Sequence, residues 1–190
     1  QLMAAEREII EEAYAGDIIG VFDPGIFSIG DTLCAPGKKF RFDPIPTFAP
    51  EHFKRVRSLD TMKRKQFLKG MEQIAQEGAI QIFKTPYTGM EEVIVGVVGT
   101  LQFDVLEYRL KNEYNVELYM EGLPYEYLRW IETDDGEPVK EEDLILGTDV
   151  KLVEDYKGNQ LLLFGSQWAI GWTEERNKNL TFHEFGGTKF

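Results

Sequence analysis

Seven cationic side chains, Lys54, Arg55, Arg57, Lys63, Arg64, Lys65 and Lys69, fall within sixteen residues that hold a single acid, Asp60. The window carries about +6 and the remainder of the 190-residue chain about −18, which together make the net charge of −12. Lys and Arg at this density neutralise phosphate oxygens, so the chemistry open to Arg55, Arg57, Lys63, Arg64, Lys65 and Lys69 is contact with a polyanion such as RNA. A solvated surface is the alternative. Lys63, Arg64 and Lys65 would sit in the first turns of a predicted helix, where each exposed cation opposes the helix dipole by roughly 0.3–1 kcal/mol. Helix stability therefore gives no reason for them.

Other chemistries find no matching pattern. There is no G-x-x-x-x-G-K-[ST] loop to cradle phosphates, and the D-x-x-G matches at Asp17–Gly20 and Asp155–Gly158 are four-letter patterns expected by chance. His52 and His183 are far apart, Cys34 has no identifiable neighbouring base, and Ser166 lacks the glycines of a nucleophile elbow. Paired acids such as Glu91-Glu92, Asp134-Asp135 and Glu174-Glu175 are expected among 33 carboxylates and read as solvated surface. No twelve-residue calcium loop follows Glu132, Asp134 and Asp135. The expectation is a chain with no catalytic, metal or nucleotide site of its own.

Composition limits the partners. A hydrophobic content of 43% suits a folded chain with a real core. A charge of −12 opposes non-specific attraction to nucleic acid, so any RNA contact must be local. The single cysteine excludes an internal disulfide and makes a reducing, cytosolic setting the simplest expectation. No stretch approaches the roughly 18–20 apolar residues of a membrane span. The chain begins at Gln1 with its first Met at position 3, which points to a piece of something longer.

The elements that must position the cations can be read from periodicity. Lys54 to Leu59 reads as a strand. Asp60 is a helix N-cap, and Phe67, Met71, Ile74 and Ala75 recur on one helical face before Gly78 stops it. A strand at 79–83 and a β-branched strand at 92–98 follow. A helix over 100–114 carries Phe103, Leu106 and Leu110 on one face, and a strand covers 116–120. Strand, helix, strand, strand, helix, strand is the ferredoxin-like split pattern. Beyond it the letters predict strands at 127–133, 149–154, 160–164 and 180–185, and a short helix over 139–146. Phe53, Phe67, Phe83 and Phe103 are expected in the core. Trp168 and Trp172, four residues apart, are expected to pack in the core or against a domain. Residues 17–23 and 26–29 read as short strands. Three prolines, Pro44, Pro46 and Pro50, mark a boundary after them.

Longer blocks carry a family resemblance. EEAYAGDIIGVFDPGIFSIGDTL (11–33) resembles the end of the second-domain β-barrel of translational GTPases. IPTFAPEHF, RVRSLDTMKRKQFLKGMEQIAQEGAIQIF and VIVGVVGTLQFDVLEYRLKNEYNVE look like the peptide chain release factor 3 family, more closely than like elongation factor G. The resemblance spans 2–130 and is looser over 133–190. It implies an α+β fold. Residues 1–45 would be the C-terminal part of the domain II β-barrel, with strands where AAEREIIEEAYAG looks helical. Residues 46–53 would be a Pro-rich connection, and 54–190 a ferredoxin-like βαββαβ domain III with a C-terminal α/β extension.

The functional implications follow from the same resemblance. The family is a ribosome-dependent GTPase that promotes departure of class I release factors in translation termination. GTP and Mg would be bound by an N-terminal domain outside this chain. The expected partners are small-subunit ribosomal RNA and protein, and indirectly the class I release factor on the ribosome. Neither a membrane nor DNA is expected, and the protein would be a cytoplasmic monomer. Three other readings compete with this one: an interaction module with no RNA contact, the equivalent region of an elongation factor G-like GTPase, and a free-standing ferredoxin-like enzyme.

Overall fold

Alternation along HFKRVRS gives the first strand, β1 (His52–Ser58), two unlike faces. Val56 points to one face, and Phe53, Arg55 and Arg57 to the other. The computed structural model describes residues 9–24, 26–27, 29–43, 48–86 and 92–184. After β1, Asp60 accepts a hydrogen bond from the Met62 N–H at 2.9 Å. It thereby starts a 3-10 turn (Thr61–Lys63) that runs into α1 (Arg64–Gln76). The helix ends at Gly78, whose φ of +76° suits a residue without a Cβ. β2 (Gln81–Lys84), β3 (Glu92–Val97), α2 (Leu101–Tyr114) and β4 (Leu118–Leu123) complete the βαββαβ order, and α2 closes on a left-handed Asn115.

These four strands pair antiparallel in the order β4-β1-β3-β2. α1 and α2 cover one face. Phe67, Met71 and Ile74 from α1 and Phe103, Leu106 and Leu110 from α2 meet Val56, Val93, Val95 and Val97 there. Gly70 lets the helices approach, since a Cβ on it would lie 2.9 Å from the Tyr114 ring.

The second half adds β5 (Tyr127–Thr133), β6 (Val150–Asp155), β7 (Gln160–Phe164), α3 (Gln167–Arg176) and β8 (Leu180–His183). Among the described residues all eight strands form one sheet, β4-β1-β3-β2-β6-β7-β5-β8, and its two halves are joined only by Phe83↔Asp155 and Lys84↔Glu154. So short a junction lets the second half fold back onto the helix-free face of the first. Phe53, Phe83 and Ile94 on one side meet Leu128, Trp130, Val153, Leu161 and Leu163 on the other. The far face of the second half packs Leu152, Leu162 and Phe164 against Ala169 of α3.

Three expectations need correction. Residues 139–146 are extended apart from a 3-10 turn, Glu141–Asp143. Side-chain amides satisfy their backbone in place of helical bonds. Gln160 bonds both the N–H and the C=O of Val139 at 2.7 Å, and Asn177 bonds the N–H and C=O of Ile145 at 2.9 Å. This frees Val139, Leu144 and Leu146 to pack on the third cluster. Second, the strands expected within 9–29 do not form among the described residues; turns such as Tyr14–Asp17 stand alone. A strand needs a ladder partner, and no described strand pairs with this segment, so Ile18 and Phe22 remain exposed. The remainder of that expectation, residues 1–8, 25 and 28, lies outside the described residues, as do Pro44 and Pro46. Third, of the two placements expected for Trp168, the core is excluded, because the side chain is exposed.

Candidate nucleic-acid interface

The six predicted contact residues do not form one patch. Arg55 and Arg57 lie on β1 and turn to the helix-free face, whereas Lys63, Arg64, Lys65 and Lys69 belong to the helix side. Period-two alternation is the reason: Val56 must face α1 and α2, which sends its odd-numbered neighbours the other way.

Arg55, Arg57 and Lys63 have identified partners within the fold. Arg55 sits between carboxylates, with Nε 3.0 Å from Glu92 and Nη1 3.3 Å from Glu121, the residue directly opposite it on β4. The Arg57 guanidinium lies 4.6 Å from the centre of the Tyr119 ring, its own cross-strand neighbour on β4. Lys63 Nζ donates to the Asn115 carbonyl at 2.7 Å. That carbonyl stands at the C-terminal end of α2, where a cation is favoured by the dipole. The unfavourable position of Lys63 ahead of α1 is thus offset by a favourable one behind α2, which periodicity within one helix does not reveal.

Lys65 and Lys69 differ. They are one turn apart, opposite Phe67, Met71 and Ile74, and exposed. Among the described residues neither has an ion pair. Arg64 is exposed beside them at the start of α1. These three are the cations of the window turned to solvent on the helix layer.

At the other end of α1 a compact ion network ties it to α2. Arg109 binds Glu113 through Nε at 2.8 Å and Nη2 at 2.9 Å, and its Nη1 and Nη2 reach both carboxylate oxygens of Glu77. Hydrogen bonds from Arg109 hold the Glu77 and Glu113 carboxyls below the usual carboxylate range. Groups with depressed folded-state pKa values stabilise the fold above the unfolded pKa, and that stabilisation is lost as pH falls through the folded values. The melting temperature should therefore drop as the pH is lowered past about 4.5. Arg109→Met should flatten that acid limb by lowering the melting temperature near pH 7 while changing little at pH 3, and the drop should be small because solvent screens exposed ion pairs. Thermal melts across pH 3–7 measure it, and an identical acid limb in the variant would count against the network.

The model of the class II release factor RF3, C-terminal domain, matches residues 42–174. The chain belongs to the class II release factor family. Residues 1–36 match the model of elongation factor G domain 2. Among curated relatives, peptide chain release factor 3 of Symbiobacterium thermophilum is 50% identical over 182 residues, covering 96% of this chain and 34% of the relative. That of Gloeobacter violaceus is 44% identical over 184 residues, 97% of this chain and 34% of the relative. That of Listeria welshimeri is 44% identical over 180 residues, 95% and 33%. The chain spans about a third of the length of these relatives. No helix of this class II release factor chain is long and apolar enough, among the described residues, to cross a membrane.

An open cleft of about 930 Å³ lies where residues 49–54 meet β4 and β5, with Lys54, Phe103, Tyr125 and Arg129 among its walls. Burial raises the Tyr125 phenol above its ordinary range, so it stays a neutral hydrogen-bonding group at physiological pH. Sequence reasoning missed this cleft because its walls come from separate segments of the chain. It also missed the exposure of Trp168, although its four-residue spacing from Trp172 correctly put the two rings together.

Proposed function

We propose that this chain is the C-terminal region of a ribosome-dependent GTPase of translation termination, and that it contributes ribosome contact and domain arrangement rather than catalysis. In this reading the parent uses GTP and Mg, held in another domain, to promote release of class I release factors from the ribosome in the cytoplasm, as a monomer. Residues 1–45 close the second-domain barrel, 46–53 connect, and 54–190 form domain III. The observation that carries the reading is the family match over 42–174. The change from one family model to the other between residues 36 and 42, just ahead of the prolines, supports the division.

Contact with small-subunit RNA falls to Arg64, Lys65 and Lys69, which are exposed on the helix layer. Lys63, at the edge of the same surface, is bonded to Asn115 and contributes through its field. Replacing Lys65 and Lys69 by Ala in the full-length parent is expected to weaken ribosome association and to reduce the slope of log K against log[salt] by about 0.7–0.9 for each phosphate no longer neutralised. An unchanged salt dependence removes the electrostatic role.

A second reading, an interaction module without RNA contact, is favoured for β1 alone. Arg55 is occupied by Glu92 and Glu121 and Arg57 by Tyr119, so each guanidinium must give up a partner before it can take a phosphate. Substitutions at Arg55 should alter stability, not the salt slope.

A further inference from the structure

α3 buries the small Ala169 and Thr173 and exposes the large Trp168. Ala169 and Thr173 face the sheet and are essentially inaccessible, whereas Trp168 is 72% exposed. Small side chains let the helix approach β7 and β8 closely, which leaves Trp172 half-buried and turns Trp168 outward. Trp168, Trp172 and Arg176 then form a ladder at i, i+4 and i+8. The two indole centres are 6.3 Å apart with a tilt of 38°, and the Arg176 guanidinium lies 4.0 Å from the centre of the Trp172 ring. Trp172 is engaged from both directions. Among the described residues the ring partner of Trp168 is Trp172 alone, and packing within the chain does not account for a large apolar ring left in water.

The charge around the ladder selects what covers it. Residues 124–184 hold 14 carboxylates against 6 Lys and Arg. Glu174 and Glu175 are exposed on α3 itself, and Glu175, seven positions after Trp168, shares its helix face. The acidic turn Glu141–Asp143 is tied to the C-terminal end of α3 by the pairing of Ile145 with Asn177. An exposed π face on a helix that also carries Glu174 and Glu175, in a half of the chain where carboxylates outnumber Lys and Arg, attracts cations and repels phosphates. Arg176 on Trp172 shows the mode within the molecule.

The geometry points to the Trp168–Trp172–Arg176 ladder as the docking site for a Lys- or Arg-bearing segment of a basic protein partner, with a cation over the open face of Trp168 and the α3 carboxylates Glu174 and Glu175 adding long-range attraction. The ladder lies on α3, apart from α1 and its lysines, so the inference stands whether or not Lys65 and Lys69 touch RNA.

Calorimetric titration of the chain with a synthetic alternating Arg–Gly peptide tests it, with a single-stranded oligonucleotide as the opposing probe. Trp168→Ala leaves the net charge unchanged, so it separates ring recognition from general attraction between a polycation and an acidic surface. The expected result is peptide binding that weakens about two- to fivefold in Trp168→Ala, falls again with Glu175→Gln, and is largely kept in Trp168→Tyr. Three results overturn the proposal: no peptide binding, equal affinity in Trp168→Ala, or oligonucleotide binding that depends on Trp168. Because Trp168 is exposed, Trp168→Ala should melt as the parent does, and Trp168→Tyr supplies the comparison if it does not.

Discussion

Replacing Phe83 with alanine should destabilise the chain by about 3–5 kcal/mol, the usual cost of emptying a buried aromatic site. Phe83 is 1% exposed and lies at the junction of the two half-sheets, where it also takes part in the two-residue ladder to β6. Its ring sits 6.3 Å from that of Phe53, in the cluster where Ile94 meets Leu128, Leu161 and Leu163. With so little backbone pairing between the halves, side-chain burial in this seam holds the sheet folded back on itself. Since a domain has only about 5–15 kcal/mol in hand, the change should appear in denaturant melts as a large drop in midpoint, with both halves affected together. A variant in which only one half loosens would show that the seam is not the main link between them. The same seam explains Gly96: a Cβ there would lie 2.6 Å from Pro50 Cγ and 2.9 Å from the Phe83 ring, so the segment entering β1 is pressed onto the sheet.

Phe67→Ala should cost a similar amount, about 3–5 kcal/mol, with a different distribution. Phe67 anchors the first turn of α1 in the cluster between the helices and the first half-sheet and takes no part in the seam. Without it, α1 retains only Met71 and Ile74 as large buried side chains and Arg109 as its ionic tie to α2. Hydrogen exchange should show α1 amides losing protection first, while those of β5, β6 and β7 follow only the global transition. Uniform loss of protection throughout would mean that α1 is not a separable unit. Because α1 presents Lys65 and Lys69, the ribosome contact proposed for them should weaken in this variant as well, although no charge is removed.

Much of this structure is legible in the letters because local signals agree there with tertiary demands. Asp60 and Gly78 bracket a helix whose apolar positions repeat on one face. Phe103, Leu106 and Leu110 do the same for α2, and the run over 92–97 suits a strand covered on both sides, as β3 is by the helices and by the second half-sheet. The readings that failed had local signals overruled from a distance. Residues 139–146 have helical composition, but the amides of Gln160 and Asn177 offer their backbone better-placed partners. The segment over 9–29 has strand composition, yet a strand without a ladder is not a stable element.

For the candidate interface, the order of residues was enough to show which cations lie together along the chain, that they sit within an acidic protein, and which of them flank the start of a helix. It also carried the family wording over most of the chain. Which cations are already committed is a property of the folded molecule. A residue's partners arrive from strands and helices distant in sequence: Glu121 lies 66 positions from Arg55 and Asn115 lies 52 from Lys63. The same holds for α3, where four-residue spacing put Trp168 and Trp172 on one face but did not say which way that face turns. The close fit of Ala169 and Thr173 against the sheet settled its direction, because a helix presents one side to its neighbour and gives the other to solvent.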